Sequence, residues 1–182
     1  MQAYLQVEDR KASRQFIPAD FEVTDWDTLQ PYFDALLTES PDGVAELAAF
    51  LNKRNELEAI VAEAFAWRYI RMTCHTQEKA YEEAYQNFVR NVMPHLSAYD
   101  DKLNRKIAEN PYFDHLPDDP YLTYKRQLKR QIELFRSENI PLITEAQTTS
   151  QQYSALTAAM TIEHAGNTLT MQQAGKYLEA ED

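Results

Sequence analysis

The side chains able to do chemistry are few in this sequence, and their spacing serves it badly. His75, His95, His115 and His164 stand singly. A zinc hydrolase needs two histidines one helical turn apart with a glutamate between them as base. No His-Glu-x-x-His is present. A di-iron bundle uses glutamate three residues before histidine, and none of the four has one. Each histidine therefore reads as a surface or structurally satisfied residue. Cys74 and His75 are adjacent, so on a helix they point about 100° apart and form no thiol–imidazole dyad with each other. Cys74 reads instead as a small buried hydrophobe. Asp100-Asp101 and Asp118-Asp119 are pairs without the third aspartate of Asp-Asp-x-x-Asp, and they read as solvated helix caps. A small enzyme using these pairs with a divalent ion is the weakest option. Glycine occurs only at 43, 166 and 175, so no glycine-rich phosphate loop can form.

Arg68 and Arg71 are the most suggestive charges, flanked by Trp67 and Tyr69. Two guanidiniums one turn apart can clamp a carboxylate. The same placement suits packing, with each arginine paired to an acid on a neighbouring helix and stacked on a ring. The packing reading is preferred. Trp67, Arg68, Tyr69 and Arg71 are thus candidate docking and packing residues. No catalytic residue, metal ligand or cofactor is assigned to this chain.

The element that carries them runs from Arg54 to Cys74, RNELEAIVAEAFAWRYIRMTC. It reads as about five to six turns of uninterrupted helix. Leu57, Ile60, Val61 and Ala64 share one face of its first half. The second half is apolar nearly all round, which predicts burial by several neighbours.

Around this spine the pattern is helical. Residues 1–23 read as an irregular lead-in anchored by Phe16, Ile17, Phe21 and Val23. Thr24 or Asp25 starts a turn, and Pro31 suits the first turn of a helix ending near Thr38. Ser40-Pro41 looks like an N-cap with proline at the first helical position, opening a helix through Val44, Leu47, Ala48 and Leu51. Thr76 is placed to cap the next helix. There Tyr81, Tyr85, Phe88, Val89, Val92 and Leu96 form a stripe at steps of 4, 3, 1, 3 and 4. Pro94 kinks or divides it, and a shorter helix follows through Ile107. Residues 110–120 hold three prolines and three aspartates and form a loop. A helix from Tyr121 to about Glu138 and another from Pro141 through Met160 carry stripes that predict antiparallel packing. TIEHAGNTLT reads as a β-hairpin turning at Ala165-Gly166-Asn167. Thr170-x-x-Gln173 is a capping box for a last helix through Leu178. The predicted fold is mostly α, an antiparallel bundle of long helical hairpins with one small β-hairpin near the C-terminus. Its divisions are the lead-in 1–23, a helical domain 24–160, and a hairpin with final helix 161–182.

Composition agrees with a helical domain. The 182 residues suggest one domain, able to bury roughly 70% of its unfolded surface. Three glycines are too few for an all-β chain rich in turns. A net charge of −11 argues against nucleic acid and anionic membrane as partners. The single cysteine leaves no internal disulfide. MQAYLQVEDRKAS lacks the apolar core of a signal peptide, and no apolar run is long enough to span a bilayer. A cytoplasmic location is expected.

Four stretches carry a resemblance: FIPADFEVTDWDTLQPYF, ELEAIVAEAFAWRYIRMTCHT, IELFRSENIPLITEAQTTSQQY and AMTIEHAGNTLTMQQA. In this order, over roughly residues 14 to 178, the chain resembles the N-terminal region of oligoendopeptidase F-type zinc metallopeptidases, relatives of thimet oligopeptidase. The resemblance implies a mostly helical enzyme around a deep channel, with a His-Glu-x-x-His helix and a further glutamate ligand later in a longer chain. Those residues have no counterparts here. The chain is then expected to be a non-catalytic lid and scaffold domain of a zinc-dependent oligopeptidase acting on short peptides. It would shape the substrate channel and dock on a catalytic domain that these residues lack. Zinc is implied for that parent enzyme. Exposed apolar surface, with self-association through it, is a further expectation. The alternative is a free-standing helical interaction module without peptidase activity.

Overall fold

The computed structural model describes residues 14–177, and no helix among them is long and apolar enough to cross a membrane. The expectations for residues 1–13 and for Leu178 lie outside them. Six long helices are followed by a two-stranded antiparallel hairpin and a short seventh helix. The mostly α fold with one small hairpin is therefore present.

Helix α1, Trp26–Thr38, starts five residues before Pro31, with the Asp25 carboxylate accepting from the Thr28 N–H at 3.0 Å. Pro31 lies inside the helix, not in its first turn. It is exposed, so the carbonyl left without a helical partner faces water.

Helix α2 is a single 31-residue rod, Val44–Cys74. Its N-cap is Gly43, three residues beyond the expected Ser40. Glu46 reaches back to accept from the Asp42 N–H at 2.9 Å, which occupies a donor that Ser40 was expected to serve. The next helix, α3 (Lys79–Asn91), likewise begins after Thr76, with Glu78 at its N-cap. Pro94 does divide the following stretch: α4 (Met93–Glu109) opens on it and is longer than α3.

A loop closed by Phe113 and Leu116, both buried, leads to α5 (Asp118–Leu134). This helix stops short of Glu138. Arg136 donates Nη1 to the carbonyls of Glu133 and Phe135, satisfying C-terminal groups that further helix would have used. Helix α6 (Asn139–Ala158) follows.

Helices α3 to α6 form one long hairpin. Asn104 on α4 meets Gln131 on α5, and the earlier Gln86 on α3 meets the later Gln151 on α6. One arm is α3–α4 and the other, running back along it, is α5–α6. The core lies among α1, α2, α3 and α4, with Leu29, Phe33, Leu36, Leu47, Leu57, Phe88, Leu103 and Ile107 nearly inaccessible.

Strands β1 (Thr161–His164) and β2 (Asn167–Thr170) pair Ile162 with Leu169. Both turn residues, Ala165 and Gly166, have positive φ, as a two-residue hairpin loop of the favoured hand requires. Thr170 and Gln173 form the capping box of α7 (Met171–Gly175) with reciprocal bonds of 3.2 and 2.9 Å.

Candidate functional site

The lead-in is fastened to the middle of α2 by a residue that nothing in the spacing singles out. The Glu56 carboxylate accepts from the backbone N–H groups of Gln15, Phe16 and Ile17 at 2.8 to 3.2 Å. Burial alone would raise its pKa. The three backbone donors and the positive charge of Arg14 outweigh that and hold it below the usual glutamate value.

Arg68 makes the second fastening. It donates Nη2 to the Val23 carbonyl at 2.6 Å and Nη1 to that of Ala64 at 2.9 Å. Its guanidinium lies 4.8 Å from the centre of the Phe88 ring. The expected stacking is there, but its hydrogen bonds go to these backbone carbonyls, not to acids of neighbouring helices. Burial, with the nearby charge of Arg71, lowers its pKa. Arg68 therefore pins the irregular segment that enters α1 to the distal half of α2.

The other three candidate residues point outward. Trp67 and Tyr69 are each 50% exposed, and Arg71 is exposed. The expected burial of the distal spine is not met among the described residues. A helix wrapped in apolar side chains here has neighbours on one side only, α3 and the lead-in. Cys74 is exposed too, not a buried hydrophobe, because it is the last residue of α2 and projects past the packed region.

A second bare surface lies on α6. Leu142, Tyr153 and Leu156 are 60%, 68% and 68% exposed, and Met160 just beyond the helix is also open. This is the stripe expected to pack inward, and it faces away from the body. Gln151, the one buried residue of α6, is nine positions from Leu142, which at about 100° per residue is the opposite face. Gln151 accepts from Gln86 at 3.1 Å and donates to Glu82 at 3.2 Å. Polar α6 thus meets the polar side of α3, whose apolar side, Tyr85, Phe88 and Val89, is already buried.

Between these surfaces runs a groove of about 780 Å³. Tyr69 and Met72 of α2 form one wall, Glu82 and Tyr85 of α3 the floor, and Gln147 and Ala155 of α6 the other wall. Tyr85 is pushed up in pKa by burial and by neighbouring Tyr69. The groove is concave and mixed in character, with Tyr69, Met72, Ile143 and Ala155 beside Glu78, Glu82 and Gln151.

No group of three metal-binding side chains occurs among the described residues. His75 follows α2, His95 stacks on Trp26 at 5.0 Å, His115 contacts the Pro111 carbonyl, and His164 lies in β1 against Tyr177. These residues do not fit a zinc site. Asp118 and Asp119 are exposed at the start of α5, but neither caps it: Pro117 holds the N-cap position and no side chain accepts there. Asp100 and Asp101 are not caps. They lie mid-helix in α4, each with one buried carboxylate oxygen lacking a protein partner.

The features together describe a helical domain with one core, a lead-in fastened to α2 at two points, and two uncovered apolar faces. Residues 16–135 match the family model of the Peptidase M3 N-terminal domain, and the chain belongs to that family. The matched segment runs from the lead-in through the end of α5, so α6 and the hairpin lie beyond it. No curated protein and no solved structure matches the chain.

Proposed function

We propose that this chain is the non-catalytic lid and scaffold domain of a zinc-dependent oligopeptidase of the M3 family. In this reading it docks on a catalytic portion and helps enclose a channel that admits short peptides. The carrying observation is the outward apolar stripe of α6, Leu142, Tyr153 and Leu156. Contiguous apolar surface of this kind marks an interaction site. The family match supplies the kind of protein to which the domain belongs. Zinc, when bound by the catalytic portion, would polarise the scissile carbonyl and activate water. The residues here would exclude solvent and position the peptide. A cytoplasmic setting fits the composition.

The test has two arms. The purified chain is assayed against a quenched peptide with added zinc, and cleavage is expected to stay at the blank. The chain is then mixed with the catalytic portion of an M3 peptidase lacking its N-terminal domain. Wild type is expected to associate, and a Leu142→Ser, Tyr153→Ser, Leu156→Ser triple variant is not. Zinc-dependent cleavage by the chain alone, or unchanged association of the triple variant, would overturn the reading. A reading frame that continues past Asp182 into His-Glu-x-x-His would support it over the free-standing module.

A further inference from the structure

A buried polar cluster joins α2, α4 and α5 and belongs to neither the groove nor the docking face. Arg54, on the core side of α2, is only 6% exposed. Its Nε donates to Glu58 at 2.6 Å, while its Nη1 is buried without a protein partner. Asp100 of α4 and the Tyr124 hydroxyl of α5 each have a buried oxygen in the same state. Asn104, one turn beyond Asp100, donates across to Gln131 of α5 at 3.4 Å.

The charges around Asp100 do not balance. From α2 it is faced by Arg54 and Glu58. From α5, Tyr124, with Tyr121 beside it, faces the same Arg54 and Glu58, so Arg54 is the group that links Asp100 to α5. On its own helix Asp101 is held by Arg105 at 2.8 Å. One guanidinium therefore serves two carboxylates, and Glu58 already holds its bond. A second carboxylate left charged in a buried site is costly.

We propose that Asp100 is a proton-operated latch: protonated, it lets α2, α4 and α5 close on a balanced Arg54–Glu58 pair, and its ionisation loosens α5 from α4. The electrostatics agree in direction. Burial pushes the Asp100 carboxyl up to about 6, with Arg54 pulling down and Glu58 pushing further up. A carboxyl whose folded pKa lies above its unfolded one binds more protons in the folded state. Its contribution is therefore gained as pH falls from 6 towards 4 and is absent above 6. Since α5 runs on into α6, the device acts on the arm that carries the bare stripe.

Hydrogen exchange of the purified chain, corrected for intrinsic rates, tests this at about pH 5 and about pH 7.5, on either side of the transition. Amides of Tyr121–Leu134 are expected to be several-fold more protected at the lower pH. In Asp100→Asn they should be equally protected at both. Carboxyl carbon NMR of wild type should show Asp100 titrating near 6. A midpoint near the ordinary aspartate value overturns the proposal, as does the same pH dependence in wild type and variant. The wild-type titration decides the matter even if the variant fails to fold.

Discussion

Phe88 on α3 and Leu156 on α6 belong to stripes of the same helical period, yet one is sealed in the core and the other is 68% exposed. The difference lies in what each helix meets. Helix α3 turns its apolar side to α2, where Phe65 lies 5.7 Å from Phe88. Helix α6 meets the side of α3 that remains, which carries Glu82 and Gln86, and matches it with Gln151. The inner layer, with Leu128 of α5, is therefore held by apolar burial, and α6 is joined to α3 by hydrogen bonds. A helix attached by its polar face is left with an apolar face to offer. That comparison underlies the docking assignment.

The contrast is broken most directly in the core. Leu57→Ala or Leu103→Ala, at fully buried positions, is expected to destabilise the chain by about 2–5 kcal/mol in urea unfolding. A loss no larger than at the surface would mean that the inner layer is not the stabilising one. Glu56→Ala is expected to cost less, about 1–2 kcal/mol, since the freed N–H groups of the lead-in are partly open to water. Glu56 has a lowered pKa in the folded state, so its contribution is present above the unfolded value. It is lost as pH falls through the folded one. An acid titration of stability should therefore be shallower in Glu56→Ala than in wild type.

Arg68→Ala removes two backbone bonds and the contact over Phe88. About 1 kcal/mol is expected in the same unfolding measurement, with the entry to α1 loosened in hydrogen exchange. Leu156→Ser sits at the other end of the scale, within about 0.5 kcal/mol of wild type. Its effect is expected instead in self-association, read by analytical ultracentrifugation. A large loss of stability in Leu156→Ser would erase the distinction between the two regions.

Much of the fold was legible because its signals are local. The capping box Thr170–Gln173, the hairpin at Ala165-Gly166 and the break at Pro94 each rest on neighbouring residues alone, and each occurs as read. Helix starts were less legible: Ser40 and Thr76 have cap chemistry, but Gly43 and Glu78 hold the positions. Neither Gly43 nor Glu78 makes a side-chain cap bond, so cap chemistry did not set these starts.

The candidate site was the least legible part. Arg68 was found as a packing residue, but its partners, the carbonyls of Ala64 and Val23, carry no signature in side-chain type. Glu56 looks like any solvated helix glutamate until residues about forty positions earlier cross it. Asp100 looks like its neighbour Asp101 until Arg54 and Glu58 of α2 are brought up to it.

The sequence by itself therefore determined that the chain is helical, where most helices break, and that its apolar residues lie in stripes, since periodicity and capping act within one element. Only the tertiary structure decided which stripe is covered, which carboxylate is buried and which arginine is anchored. Those outcomes depend on contacts between residues far apart in the chain. A helix of fixed pattern can be packed by either face, according to what its neighbours have left exposed.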